Sequence, residues 1–147
     1  MSPILVRDFL KISYRADLDL LVDRWLRPIE LEELRHGYQL LLEAAEADKC
    51  QRWLLDVRRR QNTHQMGAQW MVNTLLPRLA HRLGGRTKLA YLMAPVYMRD
   101  EAADAAFPPA ARFVGKPFVS EWFIEENTAI AWLHAQSVLA AHHLIFC

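Results

Sequence analysis

Cysteine is scarce: Cys50 and Cys147 are the two in 147 residues. That is too few for a disulfide framework, and their spacing suits no metal, so a reduced, cytoplasmic chain is expected. Long apolar runs are also missing. The longest, Leu89 to Met98, is broken by Pro95 and falls well short of the ~20 residues that span a bilayer, so no transmembrane segment is expected. The start, Met1-Ser2-Pro3-Ile4-Leu5-Val6-Arg7-Asp8, has no basic cluster and no small-residue cleavage site, and no secretory leader is expected. A Gly-rich phosphate loop, a nucleophile elbow and a dinucleotide fingerprint are all absent. Of the histidines His36, His64, His81, His134, His142 and His143, no pair has metal-binding spacing, and the adjacent last two diverge on any regular element. No catalytic residue, no metal and no cofactor are therefore expected.

Net charge is nearly absent, at +1, which argues against nucleic-acid binding. The charges are nevertheless segregated. Acids outnumber arginines nine to three from Asp17 to Asp48, whereas Val57 to Arg99 holds eight basic residues and no acid. Such a division suits an acidic partner, a phosphate or self-association, and equally suits two solvated faces of opposite sign.

With 52% hydrophobic residues and neither repeat nor linker, residues 1–147 read as one domain with one core. Phe9 to Tyr14 alternates like a half-buried strand, and a second strand falls within Leu18 to Trp25. Pro28 and the acids Glu30, Glu32 and Glu33 mark a helix start, because acids there complement the macrodipole. Leu31, Leu34, Tyr38, Leu41 and Ala45 supply its apolar stripe. Trp53 to Val57 reads as a strand buried on both faces. A helix follows from Asn62 to the Gly84-Gly85 stop, with Pro77 kinking or dividing it. Lys88 to Met93 and Phe118 to Phe123 are further strands. Short helices fit near residues 100–106 and 110–114, and Asn127 to Ala135 closes the order as a helix. Strands alternating with helices predict an α/β fold: a mixed sheet of four to five strands with helices packed against it, an N-terminal strand pair and then β-α units.

This order, with certain segments, resembles the STAS-like group, which includes anti-sigma-factor antagonists and small bacterial proteins called sporulation stage II protein AA-like. Trp53-Leu54-Leu55-Asp56-Val57-Arg58 is similar to the family's central strand ending in aspartate. Lys88-Leu89-Ala90-Tyr91-Leu92 resembles the next strand, and Arg99 to Gly115 takes the place of a short helix. Phe123 through Leu133 resembles the final strand, acidic turn and last helix. The resemblance covers Phe9 to Ala135 and implies an interaction or regulatory module. Signalling members phosphorylate a serine after the central strand; here that turn reads Arg58-Arg59-Arg60-Gln61-Asn62-Thr63-His64, with Thr63 as its one hydroxyl, so the phosphoryl switch is not carried over.

The same turn, at a strand's C-terminal end and before a helix, is the foremost candidate site. Asp56, Arg58, Arg59, Arg60, Asn62, Thr63 and His64 would bind an acidic partner or a small anion, since helix N-termini offer free N–H groups and arginines planar forks. As a plain alternative, the turn is a solvated helix cap, with Asp56 paired to a nearby arginine. For an enzymatic role, Asp56, Arg58 and His64 are the residues to test. A second candidate is an apolar ligand pocket walled by Met66, Trp70 and Trp122, although five tryptophans also suit a packed core. The apolar tail, residues 136–147, is expected to pack on the domain or across a homodimer contact. The functional expectation is a STAS-like protein-interaction or regulatory module that binds a protein partner or itself, with a small-ligand binder, of a lipid or an anionic metabolite, as the alternative.

Overall fold

A computed structural model describes residues 4–59, 77–78, 87–95 and 118–135. Three strands lead the chain: β1 (Ile4–Val6), β2 (Leu10–Arg15) and β3 (Leu20–Trp25). They form an antiparallel meander, Ile12 pairing with Leu5 on one side and Asp23 on the other. Asp19 closes the second turn at φ 48°, in the left-handed region that aspartate tolerates better than most residues. Helix α1 (Leu31–Asp48) then returns the chain to β4 (Arg52–Asp56), which runs parallel to β3. β5 (Thr87–Leu92) and β6 (Phe118–Phe123) continue the parallel part, and α2 occupies residues 126–135. The sheet order is β1-β2-β3-β4-β5-β6.

The α/β class, the mixed sheet, the N-terminal strand pair and the strand–helix–strand unit stand as expected. The sheet is wider than four to five strands because Ile4–Val6, too short to show a period, adds an antiparallel edge. Residues 77 and 78 are helical, as expected of that region. The short helices at 100–106 and 110–114, the Gly84-Gly85 stop and the 136–147 tail lie outside the described residues.

Alternation along the strands divides the interior into two layers. On one side, Leu21 and Trp25 of β3, Trp53 and Leu55 of β4, and Leu89 and Tyr91 of β5 meet α1. On the other, Leu20, Val22, Leu54, Ala90 and Leu92 meet Ala129 and Leu133 of α2. β4 and β5 are thus covered on both sides, which is why they read as continuous apolar runs.

Helix α1 starts at a charged clasp. The Glu33 carboxylate accepts the Glu30 backbone N–H at 3.0 Å and two bonds from Arg27, at 3.1 and 2.6 Å. These donors hold its carboxyl down to about 2. The helix ends at Lys49, at φ 53°, whose backbone N–H bonds back to Ala45 O. Its buried stripe is Leu34, Gly37, Tyr38, Leu41, Leu42 and Ala45, and each leucine contributes roughly 1.5–3 kcal/mol before entropy is charged. Leu31, expected in that stripe, is instead 37% exposed. The helix begins there, and Ile29 of the incoming loop is the residue buried at this end.

Candidate functional site

Asp56 is the last residue of β4, and its register partner on β3 is Arg24. In-register neighbours on adjacent strands share a face, so the two side chains lie together at the C-terminal end of the parallel strands. Asp56 Oδ2 accepts from Arg24 Nη1 at 2.9 Å and from Arg58 Nη2 at 2.9 Å. Asp56 Oδ1 accepts from Arg58 Nε at 2.9 Å and from the Arg58 backbone N–H at 3.3 Å. Four donors thus occupy a carboxylate whose side chain is only 10% exposed. Burial pushes its carboxyl up, but the Arg58 and Arg24 bonds outweigh burial and leave it below the usual carboxylate value.

Arg24 Nη1 also donates to Glu126 Oε1 at 2.8 Å, which ties β3 to the first turn of α2. Pairing with Glu126 and then Asp56 raises the Arg24 guanidinium further, against the opposing effect of burial. Arg59 is exposed and forms no ion pair with any described residue. Arg24, Trp25, Leu26, Asp56, Arg58 and Arg59 line a cleft of about 140 Å³.

Open α/β sheets commonly bind ligands where the strand order reverses. The strand order here runs straight through, so the described strands offer no such reversal. The cleft lies beside β3 instead, the strand at which the sheet turns from antiparallel to parallel.

Chemically, the cleft sets arginine donors beside a carboxylate counter-charge. Asp56, with four donors on its two oxygens, is a poor proton acceptor and serves to orient Arg58 and Arg24. Sequence reading placed Asp56, Arg58 and Arg59 together, and they are together; Arg60, Asn62, Thr63 and His64 lie outside the described residues. Pairing of Asp56 with an arginine is observed, now with two of them. Arg24 and Glu126 were missed. Their signals were an Asp-Arg pair inside an otherwise apolar strand, and an acidic turn following the last strand at the same end of the sheet.

Met66 and Trp70 also lie outside the described residues. Trp122 packs against the α1-side core and does not line the cleft. Among the described residues, no group of three or more His, Cys, Asp or Glu side chains is placed to hold a metal, and no helix is long and apolar enough to cross a membrane.

At the opposite end of the sheet, Asp19 accepts from Tyr14 Oη and Arg52 Nη1, both at 2.8 Å. The bond to Asp19 pushes the Tyr14 hydroxyl up to about 12. Cys50, buried below the same turn, is pushed up to about 11 by its burial. This cluster fastens the β2–β3 turn to the start of β4. Comparison with protein-family models, curated proteins and solved structures finds no match to the chain.

Proposed function

We propose that the chain is a STAS-like interaction module that docks an acidic segment of a partner protein on the arginine edge formed by Arg24, Arg58 and Arg59. One observation carries this reading: Arg24, Arg58 and Arg59 line one open cleft, while the Asp56 carboxylate is fully engaged in holding Arg24 and Arg58. Arg58 is held from one side through Nε and Nη2, so its Nη1 remains available. Arg59 offers its whole fork.

The cleft volume bears on the alternative of a small-molecule binder. Enclosing pockets typically measure about 300–1,000 Å³. A space of about 140 Å³ suits one carboxylate or phosphate group projecting from a larger surface. The anionic-metabolite reading therefore narrows to a small head group, and the lipid reading has no support among the described residues.

The test is native mass spectrometry of the protein purified from its own cells, for the wild type and for Arg59→Glu. An acidic polypeptide should co-purify with the wild type, dissociate as salt is raised, and be lost from the variant. A partner that Arg59→Glu retains undiminished at all salt concentrations removes the edge as the docking surface.

A further inference from the structure

We infer that Glu126 is an internal competitor for the arginine edge, a carboxylate of the chain itself that holds Arg24 until an external anion displaces it. The inference rests on the docking reading above and assigns the regulation of that same edge.

Arg24 Nη1 has two hydrogens and gives one to each of two carboxylates, Asp56 at 2.9 Å and Glu126 at 2.8 Å. The two acceptors are not equivalent. Asp56 belongs to the adjoining strand, is nearly buried and holds four hydrogen bonds. Glu126 comes from another element, 102 residues along the chain, and its side chain is 38% exposed. The bond from Arg24 is the one its carboxylate receives among the described residues. A pair with one solvated, singly bonded member is weak and exchanges readily with water or another anion, whereas a carboxylate saturated by two arginines does not.

Charge favours the same exchange. Three arginines face two carboxylates at this edge, which leaves it barely cationic. Glu126 also acts on Arg58, whose guanidinium it helps to keep protonated. An anion that replaces Glu126 gains Arg24 together with the open donors of Arg58 and Arg59. Docking then severs the polar tie between β3 and the first turn of α2, so occupancy of the edge is transmitted to that helix.

The experiment measures binding of a short oligoglutamate peptide at low salt by calorimetric titration, with circular dichroism to verify folding. Four proteins are compared: wild type, Glu126→Gln, Glu125→Gln and Arg59→Glu. Glu125 is the exposed neighbour in the same turn and controls for charge alone. Glu126→Gln should bind roughly two- to five-fold more tightly than wild type, the range set by the strength of a half-exposed ion pair, with Glu125→Gln close to wild type. Peptide binding seen only with Glu126→Gln also supports the competitor. Wild-type binding that Arg59→Glu abolishes but Glu126→Gln leaves unchanged or weakens overturns the competitor and leaves the docking edge standing. An equal gain from both glutamine variants overturns it too, since the effect is then one of net charge. Absence of binding in both wild type and Glu126→Gln overturns the docking edge itself.

Discussion

Gly37 faces the indole of Trp25 so closely that a Cβ built on it would lie 2.4 Å from Cη2 and 2.8 Å from Cζ3. Trp25 has little room to yield, being stacked on Phe9 at 6.2 Å and met edge-on by Tyr38 at 5.4 Å. Two effects of Gly37→Ala therefore oppose each other. Alanine favours the helix by about 0.8–1.0 kcal/mol, while overpacking a filled core costs about 1–3 kcal/mol. The clash wins, and urea denaturation should show a net loss of up to about 2 kcal/mol. An alanine variant as stable as wild type would mean that Trp25 shifts freely. The apolar stripe read from the sequence named Leu34, Tyr38 and Leu41 but not Gly37, which lies three residues after Leu34 and four before Leu41 and is buried with them. Its purpose was not legible, because nothing local in the sequence says that Trp25 lies opposite.

For whole elements, the helix–strand joint after α1 offers a second test. Lys49 adopts φ 53° to turn the chain out of the helix, a conformation that costs a residue with a Cβ about 1–2 kcal/mol. Glycine removes that cost and adds some entropy to the unfolded chain. Lys49→Gly should therefore raise stability by about 0.5–1 kcal/mol, read as a higher denaturation midpoint at unchanged slope. A fall in the midpoint would show that the lysine side chain contributes more than its backbone strain costs. The elements themselves were largely legible. The period-two pattern of β2 and β6 and the apolar runs of β4 and β5 placed four strands within one or two residues. β1 was not, since three residues carry no measurable period. The site was half legible for a related reason: Asp56, Arg58 and Arg59 are neighbours in sequence, whereas Arg24 and Glu126 reach them through strand register and the folding back of α2.

Across the molecule, the Asp56 network joins β3, β4, the following turn and α2, so its protonation bears on the whole fold. The Asp56 carboxyl lies below its unfolded value. Its contribution is thus present above an unfolded pKa of about 3.9 and fades as pH falls through the lower folded value. Asp56→Asn should cost about 1–2 kcal/mol at pH 7, toward the lower end for hydrogen bonds to charged groups, because both arginines can resolvate. The gap between wild type and variant should hold from about pH 5 to 8 and close below about pH 4. A gap that persists at pH 2 would locate the cost in packing instead of charge. The unbroken strand order has a consequence for synthesis as well. Each strand pairs with those before and after it in the chain, so the sheet can assemble from its first hairpin outward as the polypeptide leaves the ribosome. Among the described elements, the cover for Leu20, Val22 and Leu54 comes from Ala129 and Leu133. Among these elements, the face that the first strands present through Leu20 and Val22 is closed only once α2, more than a hundred residues later in the chain, has been translated.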